Sequence, residues 1–232
     1  MILTSSIISK ISLKRPITSY AKTRFLYSNI IRNKLIQIKT NKIAKKQYLN
    51  VGCGPNIDER FINLDYIWHP KLDLCWDITK GIPLNDNSLQ GIYTEHCLEH
   101  IPYQDTKKVL AQFFKLLKSG GTLRIIVPDA EIYLDAYQKV KQNNQVDFPY
   151  GLSAHNIADS EVTPMIAVNS MFRGHDHQFA YDYITFKSML ENVGFVDLKK
   201  ESFCQGRDGN LLIDSKHRAC ESLYVEATKP HN

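Results

Sequence analysis

From residue 47 onward, short apolar segments alternate with helical ones, the order that a parallel α/β sheet requires. The first three segments come in quick succession. "QYLNVGCG" is an apolar strand that runs out into glycines, and "RFINLDY" and "KLDLCWDI" follow, each with an aspartate near its end. Eleven positions separate Gly54 from Asp65, and "PNIDERF" between them is too short for a full crossover helix. This spacing also excludes a dinucleotide fold. The G-x-G-x-x-G fingerprint fails at Ile57, and its acid is expected about twenty residues on. A strand that turns through Gly52-Cys53-Gly54, followed by acids at the ends of the next two strands, suits a ligand with a ribose and no phosphates. Glycines admit the ligand to the backbone, and ligands of open α/β sheets sit at the carboxyl ends of strands.

Further along, "LQGIYTEH" reads as a strand and "DTKKVLAQFFKLLKSGG" as a helix, with Asp105 the expected N-cap and Gly120 or Gly121 the stop. "TLRIIVPD" is a buried strand and "AEIYLDAYQKVKQ" a helix. Residues 143–180 have weak periodicity and are expected to form an insertion over the substrate side of the site. "YITFKSMLENVGF" is a helix with a glycine stop. "FVDLKKESF" and "ESLYVEATK" are strands too directly joined for a helical crossover, hence antiparallel.

The chain is expected to divide into a basic N-terminal arm, residues 1–46, and a domain, residues 47–232. The arm holds eleven Lys or Arg and no acid, which leaves 18 basic against 24 acidic residues in the domain. Phe25, Leu26, Ile30, Ile31, Leu35 and Ile38 recur in it at roughly helical spacing. Three readings stand for it: a helix that packs on or lids the domain, a basic helix attracted to anionic lipid or RNA phosphates, and a targeting peptide. The five cysteines are odd in number and form no C-x-x-C pair, as free thiols in a reducing cytoplasmic compartment would be. The acidic balance of the domain argues against a large nucleic-acid footprint.

The segments "YLNVGCGPN", "INLDY", "DLCWDIT", "IPLNDNSLQGIYTEHCLEHI", "LLKSGGTLRIIVPD" and "HQFAYDYITFKSMLENVGF" together resemble the class I S-adenosylmethionine-dependent methyltransferases, within them a branch of predicted bacterial small-acceptor enzymes. The resemblance implies a Rossmann-like, seven-stranded, mostly parallel sheet with the last strand antiparallel and helices on both faces. It implies S-adenosyl-L-methionine as cofactor, with Gly52 and Gly54 under its methionine part, Asp65 on its ribose, and Asp77 with Ile78 beside its adenine. The implied contacts extend to Asn50, Cys53 and Tyr66. The implied acceptor is a small molecule, sugar or lipid, with peripheral membrane contact through the arm as a further expectation.

"TEHCLEH" then falls on the loop that leaves the fourth strand. His96 is expected at the site, and Glu95 either meets the cofactor or orients His96. His100 with Glu99 reads as a local element that fixes the loop. If the acceptor is a hydroxyl, a general base is needed, and the candidates are His96, His177 and, behind them, His155 and His175. Asp129, just after the fifth strand, either assists at the site or caps the next helix. Two alternatives remain open. One is a methyltransferase fold that binds without catalysis. The other is a zinc peptidase, because His96 to His100 matches H-x-x-E-H. Pro102 disfavours helical geometry at Ile101, so the expectation is that no metal is bound.

Overall fold

The computed structural model describes residues 19–34, 43, 45–142 and 163–231. His155 and the larger part of the expected insertion, 143–162, lie outside the described residues, as do residues 1–18 of the arm.

Among the described residues seven strands form a single sheet: β1 (Tyr48–Val51), β2 (Phe61–Asp65), β3 (Leu74–Cys75), β4 (Leu89–Glu95), β5 (Leu117–Pro128), β6 (Val196–Glu201) and β7 (Ser222–Thr228). Their spatial order is β3-β2-β1-β4-β5-β7-β6. β1 pairs with β2 and β4 in parallel, and β7 runs antiparallel to both β5 and β6. The order reverses between β1 and β4, so their carboxyl ends open a crevice where ligands bind in such sheets. No helix lies between β1 and β2, as the short spacing required.

Strand alternation decides what each face of the sheet meets. Leu49, Val51, Ile62, Leu64, Leu123, Ile125, Val127, Leu223 and Val225 point to one face, where helices α2 (Tyr103–Leu116) and α5 (Tyr183–Val193) bury Val109, Leu110, Phe113, Phe186 and Leu190. The residues between them, Phe61, Tyr93, Ile126 and Tyr224, make a second cluster with Leu211 on the other face. That face is covered by residues 202–218, whose only regular elements are two short 3-10 turns.

Helix α2 departs from expectation at both ends. It begins at Tyr103 after Pro102, and Asp105 sits in its first turn, paired with Lys108 at 2.8 Å instead of capping. Proline supplies the entry because its fixed φ suits a first turn. The helix ends at Leu116, and residues 117–121 already belong to β5, with Gly120 at φ +75° inside the strand. Pairing of Leu117 with Leu89 on β4, and of Gly120 and Gly121 with Lys229 just past β7, outweighs the helical pattern there. By contrast, α5 stops at Gly194 in the left-handed conformation, as the glycine signal indicated.

Helix α1 (Ser19–Ile31) packs by polar contacts and by the Tyr27 ring against Trp68, not by Leu26 and Ile30, which are 53% and 60% exposed, whereas Ser28 is buried. Ser28 Oγ accepts from the Trp68 amide at 2.7 Å, and Arg24 Nε donates to the Trp68 carbonyl at 2.8 Å. Arg32 Nε donates to the Tyr66 carbonyl at 2.9 Å, with its guanidinium 3.5 Å from the Tyr66 ring centre. Asn33 accepts from the Asp77 amide at 2.8 Å. The helix therefore stands over the ends of β2 and β3.

Candidate active site

A cleft of about 510 Å³ opens at the carboxyl ends of β1 to β4, within the range for small-ligand sites. Gly52, Asp65, Tyr66, Asp77, Ile78, His96 and His100 line it together. Gly52 turns at φ +68°, and a Cβ built there would lie 2.6 Å from Cys97 Cβ and Sγ. Only glycine lets β1 pass this close to the loop that carries His96. Gly52→Ala is therefore expected to displace that loop and weaken S-adenosylmethionine binding about tenfold or more, since the left-handed backbone alone costs about 1–2 kcal/mol in a non-glycine residue. Calorimetric titration checks this. Gly54→Ala, at φ +51° but with nothing within 4 Å, should lose less.

Asp65 ends β2 with its carboxylate held by two backbone amides, Gly54 N at 2.8 Å to Oδ2 and Ile67 N at 2.7 Å to Oδ1. Each oxygen retains a lone pair, as a ribose diol requires. Asp77 accepts from Thr79 N and Oγ1 at 3.0 and 2.7 Å, capping the 3-10 turn Ile78–Lys80 at the cleft rim. Asn50 and Cys53 do not line the cleft. Asn50 Nδ2 holds the Asn56 carbonyl at 3.1 Å, and burial pushes the Cys53 thiol up. The described residues thus fit an adenosyl ligand through Gly52, Asp65, Tyr66, Asp77 and Ile78.

The second half of the cleft is built from "EHCLEH". β4 ends at Glu95, His96 adopts φ +47°, and Leu98–His100 form a single 3-10 turn. No α-helix runs from His96 to His100, so the H-x-x-E-H geometry of a zinc peptidase is absent. Glu95 turns away to accept from Ser215 N and Oγ at 2.9 and 2.6 Å. His96 is locked from both ring nitrogens. Arg218 Nη1 donates to Nδ1 at 2.9 Å, which makes Nε2 the protonated nitrogen, and Nε2–H donates to Ser222 Oγ, also at 2.9 Å. Ser222 Oγ in turn donates to the Arg218 carbonyl at 2.8 Å. Burial, then the Arg218 charge, depresses the His96 pKa to about 2, so the ring stays neutral.

Glu99 is 2% exposed, and burial raises its pKa to about 8. Its carbonyl accepts from Gln178 N at 2.7 Å and Phe179 N at 3.2 Å, a clamp that brings His177 against His100, with ring centres 4.9 Å apart. His177 Nδ1 donates to the Met171 carbonyl at 2.6 Å. Burial lowers the pKa of His177 and takes that of His100 to about 4. His175 is exposed at φ +54° in the neighbouring turn.

Asp129 lies outside the cleft. It caps helix α3 (Ala130–Lys141), accepting from Glu131 N at 3.0 Å, and pairs with Lys200 at 3.1 Å. Burial still raises its pKa. Sequence reasoning passed over Arg218, Ser222 and Glu221. They lie more than 120 residues from His96, and no local pattern marks them.

Residues 43–125 match the family model described as "Methyltransferase domain". No curated protein sequence matches the chain. Among solved structures the chain is similar to an S-adenosylmethionine-dependent methyltransferase from Archaeoglobus fulgidus, with 17% identity, 89% of this chain and 94% of that one covered, and a TM-score of 0.48. It is also similar to a possible histamine N-methyltransferase from Thermotoga maritima, with 14% identity, coverage of 83% and 86%, and a TM-score of 0.48. A third is phosphoethanolamine N-methyltransferase 2 of Haemonchus contortus in complex with S-adenosyl-L-methionine, with 14% identity, coverage of 92% and 58%, and a TM-score of 0.46. The domain match runs from just before β1 into β5 and so takes in the strands that build the cleft, and over that stretch the chain carries a methyltransferase domain.

Proposed function

We propose that the enzyme methylates a hydroxyl of a small-molecule, sugar or lipid-like acceptor. The cofactor, S-adenosylmethionine, supplies a methyl group on a sulfonium. The observation that supports the acceptor reading is the shared cleft. The adenosine-type wall of Gly52, Asp65 and Asp77 and the imidazoles of His96 and His100 face one cavity of small-ligand size. Holding an acceptor in line along that cavity supplies most of the rate.

His96 and His100 line the cleft and His177 packs against His100, and the hydrogen bonds of these imidazoles divide the labour. His96 has both nitrogens engaged and is a positioning wall that carries the Arg218–Ser222 segment against the cleft. His177 gives its Nδ1–H to Met171, which leaves a lone pair on Nε2. Proton removal from the acceptor is assigned to the Glu99–His100–His177 cluster. Among the described residues no helix is long and apolar enough to cross a membrane.

A turnover screen that follows S-adenosylhomocysteine release across sugar, lipid and amine acceptors tests the reading. Release is expected with a hydroxyl acceptor, and His177→Ala should lower it about 10²–10⁴-fold, the usual contribution of acid–base assistance, while cofactor binding is spared. Release with amines alone, unaffected by His177→Ala, would refute it.

A further inference from the structure

Both oxygens of the Glu99 carboxyl are buried and make no hydrogen bond. The nearest nitrogens are His96 Nδ1 at 3.5 Å and His100 Nε2 at 3.7 Å, both too distant for a hydrogen bond to count. His96 Nδ1 has nothing to give in any case, because Arg218 already donates to it. His177 presents Nε2 without a proton, since its Nδ1–H goes to Met171. A carboxylate oxygen of Glu99 and one ring nitrogen each of His100 and His177 lie within 4.8 Å of one another. A buried carboxyl without a hydrogen-bond partner is costly unless something binds it, and of the three groups Glu99 is the buried one.

We propose that Glu99, His100 and His177 form a binding site for a divalent first-row transition cation of the zinc type, with its open position toward the cleft. Two imidazoles and a carboxylate are a donor set such ions accept, and three protein ligands with a vacant fourth position is the arrangement of reactive rather than structural sites. Ligand atoms that share a tetrahedral zinc lie about 3.3 Å apart, given zinc–ligand distances near 2.0–2.2 Å. Closing the cluster to that spacing needs a shift of about 1.5 Å. His100 can supply it, because its side chain is 40% exposed and forms part of the cleft wall. The other two ligands are already set. The Met171 carbonyl fixes the His177 tautomer, the role an outer-shell acceptor plays for a metal-bound imidazole, and the backbone clamp from Gln178 and Phe179 holds Glu99. The H-x-x-E-H run therefore contributes two of its three polar residues to a site completed from 77 positions away, not from its first histidine.

This inference deepens the role proposed above for the cluster, but its test reads the metal and not the reaction. The full chain, freed of metal by chelation, is titrated calorimetrically with zinc chloride, with S-adenosylmethionine binding followed in parallel as the measure of folding. One zinc per chain is expected. His177→Ala and Glu99→Gln should each weaken it about tenfold to a hundredfold or more, the range reported even for lost outer-shell partners. His175→Ala should bind as the parent does. Absence of stoichiometric zinc in protein that binds the cofactor would overturn the proposal. So would zinc affinity unchanged in both variants, or an equal loss in His175→Ala, which would locate the ion on the exposed turn. Should His177→Ala fail to fold, Glu99→Gln decides alone. Stoichiometric zinc without turnover on any acceptor would keep the metal site and remove the methylation reading. Acceptor turnover by protein that takes up no zinc would do the reverse.

Discussion

Arg124→Met is expected to destabilise the protein by about 3–5 kcal/mol, the cost of removing one partner from a buried ion network. Denaturant unfolding measures it. Arg124 is fully buried on β5, and all five of its N–H donors are engaged. Nε and Nη2 form a fork on Asp214 at 2.9 and 2.5 Å. Nη1 reaches Glu226 at 2.9 Å and the Gln205 carbonyl at 2.8 Å, and Nη2 also meets the Ser202 carbonyl at 3.2 Å. Without the guanidinium, two carboxylates remain buried on the aromatic face of the sheet. A variant in which Arg124, Asp214 and Glu226 are all replaced by apolar residues should recover much of the loss, because it leaves no unpaired charge. The consequence reaches the cleft. The same 202–218 segment supplies Ser215 to Glu95, and it leads into Arg218, which holds His96. A loss below about 1 kcal/mol in Arg124→Met would show that the covering segment is held by other means.

Asp65→Ala is expected to weaken S-adenosylmethionine binding about a hundredfold or more. Hydrogen bonds to a charged group are worth about 1.5–3 kcal/mol each, and a ribose diol makes two. The substitution also frees the Gly54 and Ile67 amides that the carboxylate now holds, so the glycine turn loses its anchor. Asp65→Asn separates the two contributions. It keeps the size but offers one acceptor oxygen, and should fall between the parent and the alanine variant. Normal cofactor affinity in Asp65→Ala, measured by calorimetry, would show that the adenosine wall lies elsewhere.

The glycine and the two aspartates of the cleft are local in sequence, and this is why their convergence could be read there. Gly52, Asp65 and Asp77 each sit at or just past the end of a short apolar strand, and parallel pairing of consecutive strands places such ends side by side. The boundaries of α2 were less legible. The helical pattern runs through Leu117, but residues 117–121 gain more from β4 and Lys229 than a further turn of helix would give. The apolar spacing of the arm marked a helix that packs on the domain but not the side that does so, for a related reason. Helix α1 is fixed through Ser28, Arg24 and Arg32, while Leu26 and Ile30 face outward.

The histidine half divides the same way. That "TEHCLEH" lies at the site follows from its place after β4, but which of its residues matter there does not. His96 is neutral because it is buried and Arg218 lies against it, Glu95 is drawn off to Ser215, and Glu99 is left without a hydrogen-bond partner beside His177. Those partners come from 77 to 126 positions further along the chain. Strand order and the glycine–acid crevice are written in the periodicity of the chain, because each is a property of segments a few residues long. Protonation, tautomer and the free lone pairs depend on which distant groups the closed sheet brings within 3 Å, and only the folded molecule decides that.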